Sequence, residues 1–162
     1  HEFPVAVELR HRSWSDAAAP TLALLDEFQA AWVQIDEPKF RLSIRQVLSP
    51  NIDRFHYLRL HGRNAAQWWK PDTPAERYHY LYAPDELRPF ADIVTAARPE
   101  VRKIYLYLNN HFAAKAVVNA ATLKHQLGQP LPGEYRPEFL AAYPDLRAIL
   151  PRPIDDLLTE QG

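Results

Sequence analysis

Cysteine is absent from this chain of 162 residues, so disulfides and thiolate metal sites are excluded. That absence suits a cytoplasmic protein. A surplus of charge is also lacking, because 19 basic and 20 acidic residues leave a net charge of -1. Nucleic-acid binders usually carry a basic stripe, so no nucleic-acid partner is expected. No apolar run approaches the ~18 residues of a membrane span, and no signal-peptide pattern is present, so no membrane association is expected. Nucleophilic catalysis finds no support either, since no Gly-x-Ser-x-Gly elbow occurs.

What is present is 47% hydrophobic and 12% aromatic residues, enough for one domain with a real core. The chain opens at His1 without an initiator methionine and enters a strand within about four residues, which leads us to expect a fragment. The most informative stretch is Phe55-His56-Tyr57-Leu58-Arg59-Leu60-His61-Gly62-Arg63-Asn64, a buried strand running into a polar loop. Alternation places His56, Leu58 and Leu60 on one face, and Phe55, Tyr57, Arg59 and His61 on the other. An arginine and a histidine on one strand face are costly to bury unless they are paired.

The same pattern recurs. Val5–Arg10 is a strand with Val5, Val7 and Leu9 on one parity and Ala6, Glu8 and Arg10 on the other. A polar loop, His11–Asp16, leads to a helix from about Pro20 to Gln29 with Leu22, Leu25 and Phe28 inward. Ala31–Asp36 is the second strand, with Trp32, Gln34 and Asp36 on its polar parity. Residues 38–54 show no long helical period. An aromatic-rich loop, Gln67–Tyr82, precedes a helix that starts at Pro84 with acids in its first turn and Leu87, Phe90, Val94 and Ala97 inward. Lys103–Asn110 is the fourth strand. It leads into a helix from about Ala113 to Leu127, with Ala116, Ala120, Leu123 and Leu127 inward and Gly128 as its stop. In the proline-rich remainder, Phe139, Leu140, Leu146, Ile149 and Leu150 suggest short amphipathic pieces packed against the domain.

Strand–helix alternation implies an α/β fold with a parallel sheet. One parity of each strand is aliphatic, as a helix-covered face requires. The other turns aromatic and then polar toward the C-terminal end, which fits a barrel mouth better than an open sheet covered on both sides. Four strands make half of a (β/α)8 TIM-type barrel. The expectation is therefore a half-barrel of four βα units over 1–128 and a C-terminal extension over 129–162.

Ala6-Val7-Glu8-Leu9-Arg10-His11-Arg12-Ser13-Trp14 and Tyr57-Leu58-Arg59-Leu60-His61-Gly62-Arg63-Asn64 resemble a bacterial family, as do Trp69, Arg77-Tyr78-His79-Tyr80-Leu81-Tyr82, Asn109-Asn110-His111 and Lys115–Ala120. It is the YecE-like family, domain of unknown function seventy-two. The resemblance covers roughly 4–128 and implies the C-terminal half of a TIM-type barrel, with no established reaction. Two positions depart from the family pattern: His79 stands where an aspartate is more usual, and Ala83 where a helix-capping serine is.

The candidate site collects Glu8, Arg10, Asp36, Arg59, His61 and Asn109 at the strand ends. The following loops add His11, Trp14, Arg63, Asn64, Trp69, Tyr80, Asn110 and His111. The arginines offer planar forks for a carboxylate or phosphate, and Glu8, Asp36 and His61 are the candidate proton-handling groups. The reading is a pocket for a small anionic ligand, with catalysis open and no cofactor implied. The same residues also admit other readings. Glu8–Arg10 and Asp36–Arg59 can be structural ion pairs, Asn109-Asn110 a helix cap, and Trp68, Trp69, Tyr78 and Tyr80 a packed lid. A divalent-metal hydrolase or isomerase using Glu8, Asp36, His61 and His11 is the enzymatic alternative, although no His-Glu-x-x-His motif is present and the arginines repel a cation. A non-catalytic scaffold is the other.

Overall fold

In the computed structural model, which describes residues 3–150 except 46, 47, 74, 132 and 134, Val5–Val7 (β1) runs parallel to Ala30–Trp32 (β2). Gln34–Asp36 (β3), His56–Leu60 (β4) and Ile104–Leu108 (β5) form a second parallel set in the order β3-β4-β5. β2 and β3 are consecutive parts of one extended run. At the Val33 break, its N–H donates to the Val7 carbonyl (2.9 Å), so the two sets continue into each other.

Helices Arg12–Asp16 (α1) and Ala18–Glu27 (α2) follow β1, Pro84–Ala97 (α3) lies between β4 and β5, and Lys115–Gln126 (α4) follows β5. Parallel neighbours need such crossovers. Among the described residues no helix is long and apolar enough to cross a membrane.

One face of β4 and β5 is covered. Leu58 and Leu60 pack with Tyr82, Leu87, Ala91, Val94 and Leu123, and with Ile104, Leu106 and Leu108 of β5. Leu58, Leu60 and Leu87 are at most 2% exposed, and each contributes about 1.5–3 kcal/mol of burial. The other face is open. Tyr57, Tyr105 and Tyr107 meet there with ring centroids 5.2–6.3 Å apart, and half of Tyr107 is in solvent. The register sets Ala6 beside Ala31, Ile35 beside Arg59, and Arg59 beside Tyr107 on this open face.

Three local expectations are corrected. His11–Asp16 is not a loop: the His11 ring nitrogen accepts from the Ser13 N–H (3.3 Å) and caps α1. Phe28 lies outside the buried stripe at 49% exposure, because α2 ends at Glu27 and Gln29 turns the chain with φ +49°. In α4 the buried set is Val118, Asn119, Ala121 and Leu123, with Ala116, Ala120 and Leu127 only half-buried. Asn119 sets that rotation, since its side chain accepts from the Tyr82 N–H (3.1 Å) and donates to the Tyr82 carbonyl (2.8 Å).

Other expectations match. Leu87, Val94 and Ala97 are buried in α3 while Phe90 is only half-buried, and Gly128 at φ +65° ends α4. Ala83 offers no side-chain cap. The Glu86 carboxylate makes the reciprocal half of a capping box, accepting from the Ala83 N–H at 2.9 Å, while the Glu86 N–H donates to the Ala83 carbonyl (3.0 Å). Beyond Gly128, Phe139, Leu140, Leu146, Ile149 and Leu150 pack with Val118, Ala121 and Leu131; residues 151–162 of the expected extension lie outside the described residues.

Gly62 ends β4 at φ +92°, and a Cβ there would sit 2.8 Å from the Tyr80 Cβ. Gly62→Ala is therefore expected to cost about 2–3 kcal/mol through backbone strain and overpacking, read as a lower urea midpoint at unchanged slope.

Candidate functional site

At the C-terminal ends of β1 and β4, alternation brings Glu8, Arg10, Arg59 and His61 onto the open face. Glu8 Oε2 accepts from Arg59 Nη1 (2.7 Å), and Glu8 Oε1 from Arg10 Nε (2.9 Å). Arg59 Nε reaches the Asn109 side-chain oxygen at 3.4 Å. Burial by itself would raise the Glu8 pKa. Hydrogen bonds with His61 and Arg59, and their charges, outweigh it and lower the value to about 2.

His61 Nε2 lies 3.0 Å from Arg10 Nη2 and 3.5 Å from Glu8 Oε1. A guanidinium only donates, so Nε2 accepts from Arg10 when it carries no proton and donates to Glu8 when it carries one. The ring is 2% exposed, with Trp68 and Tyr78 each at 6.4 Å. Its Nδ1 is buried without a partner among the described residues. Trp68 is 5% exposed and also faces Tyr78, as a packed lid would.

Asp36 does not join this cluster. Register pairs it with Leu60, so it points to the covered face, whereas Arg59 is on the open one. Its partner is Arg63, in a two-pronged bridge (2.8 and 2.9 Å), and the Tyr82 hydroxyl donates to it at 2.7 Å. The expected Asp36–Arg59 pair is thus replaced by Asp36–Arg63 and Glu8–Arg59. Arg63 also reaches Glu86 (3.1 Å), to which Tyr80 donates (2.7 Å). Burial, then Glu86, pushes the Tyr80 phenol up to about 12. Burial and the Asp36 carboxylate raise Tyr82 further still.

The remaining candidates disperse. Asn64 and Asn110 hold backbone carbonyls of residues 76–80, and Asn110 is fully buried against Asn119. His11 is the α1 cap. His111 is exposed beside Tyr78 (5.4 Å). Trp14 and Trp69 are exposed, the latter touching Phe40.

Reading the sequence missed Glu37, which is 5% exposed and whose Oε2 lies 3.3 Å from Arg10 Nη2. Its parity continues Ala31, Val33 and Ile35 onto the open face. Both parities of this run are buried, so no amphipathic signal separated Asp36 from Glu37. Burial raises the Glu37 pKa against the opposing pull of Arg10, Lys39 and His61. Among the described residues, no three His, Asp or Glu side chains are grouped to hold a metal.

The family described as Protein of unknown function DUF72 matches residues 1–139. This chain belongs to the DUF72 family. The match reaches Phe139, past the Gly128 limit of the sequence resemblance. A curated relative, the UPF0759 protein YunF of Bacillus subtilis (strain 168), is 27% identical over 125 residues, covering 73% of this chain and 44% of that protein. A DUF72 family protein of Thermotoga maritima MSB8, solved by crystallography, superposes with a TM-score of 0.72 at 31% identity, over 80% of this chain and 48% of its own. A second, from Enterococcus faecalis V583, gives a TM-score of 0.72 at 25% identity, over 83% and 52%. This DUF72 chain therefore spans about half the length of the relatives it matches.

Proposed function

We propose that this DUF72 chain forms half of a TIM-type barrel and that its strand-end cluster binds a small ligand carrying a carboxylate or phosphate. Parallel strands with helices on one face and an open aromatic-to-polar face support the architecture, as do relatives of about twice the length. The binding reading rests on one observation: Arg10 and Arg59 both donate to Glu8, and Arg59 has no other carboxylate partner among the described residues, whereas Arg10 also meets Glu37. Arg59 keeps Nη2 without a partner among the described residues, and 35% of its side chain is exposed. A fork with one unused edge at a strand end suits an anion. We propose residues 1–128 as the half-barrel unit, with the segment from 129 packed on it.

A scaffold role is the second reading. It is favoured by the Asp36–Arg63–Glu86 network, in which all three Arg63 nitrogens are engaged by carboxylates. Titration calorimetry of the full chain with inorganic phosphate and with acetate separates the two. Binding is expected, weakened about tenfold or more in Arg59→Ala, the worth of one charge-assisted hydrogen bond. No heat of binding, or equal affinity in the variant, supports the scaffold instead.

A further inference from the structure

Asp36 and Glu37 are adjacent buried carboxylates at one strand end, and the fold treats them differently. Asp36 is saturated by Arg63 and Tyr82. Glu37 has 6% of its side chain exposed and, among the described residues, a single ion pair, with Arg10 at 3.3 Å. No hydrogen bond to its carboxyl group is formed among the described residues. A buried carboxylate in that condition is costly, and structural carboxylates are normally hydrogen-bonded. An unsatisfied one beside a shared arginine is what a proton-transfer group requires.

We propose that Glu37 is a proton donor and acceptor for an oxygen of the bound ligand, with the ligand's carboxylate or phosphate held on Arg59. The ligand class is then a small carboxylate or phosphate ester that also bears a hydroxyl or carbonyl oxygen. In the acid direction the Glu37 O–H bond breaks, the proton bonds to the ligand oxygen, and the carboxylate left behind faces Arg10. In the reverse direction a ligand O–H bond breaks and Glu37 regains the proton. No oxidant or further reactant enters.

The charged groups facing Glu37 are Arg10 and Glu8 from the segment after β1, His61 at the end of β4, and Lys39 on its own loop. Burial and Glu8 favour the protonated acid, whereas Arg10, Lys39 and His61 oppose it, and burial is the largest of these. Glu8 is pushed the opposite way by Arg59 and His61. Two carboxyls driven apart by their surroundings divide into a fixed anion and a proton carrier. Loss of the Glu37 charge also leaves Arg10 and Arg59 with only Glu8 between them, so protonation of Glu37 and anion binding are coupled.

The ligand's position on Arg59 rests on the binding reading above; the protonation of Glu37 does not. Carbon-detected NMR titration of the ¹³C-labelled full chain, with Glu37→Gln identifying the resonance, tests the latter. The Glu37 midpoint is expected above its ordinary 4.5 and the Glu8 midpoint well below it. A Glu37 midpoint at or under 4.5 overturns the proposal. Sulfate, which keeps its charge between about pH 4 and pH 8, probes the coupling. Wild-type affinity is expected to fall as pH rises and Glu37 ionises, while Glu37→Gln stays tight throughout. Sulfate binding with the same pH dependence in both proteins overturns the Glu37 proposal and leaves the anion reading standing. No sulfate binding at any pH overturns the anion reading, and the NMR midpoint then decides Glu37 alone.

Discussion

Asp36→Ala is expected to destabilise the chain by about 2–4 kcal/mol, because the buried carboxylate loses three hydrogen bonds while Arg63, 36% exposed, is screened by solvent. Three hydrogen bonds converge on this carboxylate: both prongs of Arg63 and the Tyr82 hydroxyl. Without it Arg63 keeps only Glu86, and the Tyr82 hydroxyl loses its acceptor. The Tyr82 hydroxyl also accepts from the Gly62 N–H at 2.9 Å, so the turn ending β4 loosens with it. Equilibrium urea unfolding measures the loss. A change under about 1 kcal/mol would show that Arg63 and Tyr82 find other partners, water included. Asp36→Asn, which keeps one acceptor oxygen and the volume, is expected to lose less than alanine.

Glu8→Gln is expected to lose about 3 kcal/mol near pH 7, because the folded chain holds this carboxyl at about 2 against an ordinary 4.5. Its side chain is 19% exposed, so solvent screens only part of that interaction. The sign follows from a depressed pKa. Stability from Glu8 is fully present above 4.5 and is lost as pH falls through about 2. Urea midpoints of wild type and Glu8→Gln should therefore converge on acidification across that window. A gap independent of pH would mean that the carboxylate's charge is not what stabilises the cluster. Glu37 works in the opposite sense: its raised pKa takes stability away as pH rises above 4.5.

Much of the site was legible along β4. Arg59 and His61 share a parity and a strand end, and the structure brings both to Glu8. Parity depends only on neighbouring dihedral angles, so sequence carries it directly. Extending the rule to Asp36 failed because every residue from Ala30 to Pro38 is buried. With no exposed side to mark a face, periodicity does not distinguish Asp36 from its neighbour Glu37. In α4 the apolar period pointed to Ala116 and Ala120, but Asn119 overrode it, since two backbone hydrogen bonds and Asn110 hold a polar residue inward. The missing cap at Ala83 was visible as a departure from the family pattern. That the Glu86 N–H would turn to the Ala83 carbonyl instead was not.

By itself the sequence determined the alternation of strand and helix, the aliphatic face of β4 and β5, and the kind of side chain gathered at the strand ends. These follow from local periodicity and from the cost of burying unpaired charge. Only the tertiary structure decided that Arg63 belongs to Asp36, that Arg59 belongs to Glu8, and that the Glu37 carboxyl group has no hydrogen bond among the described residues. Those outcomes depend on strand register, and register is set by packing between segments as much as 51 residues apart in the chain.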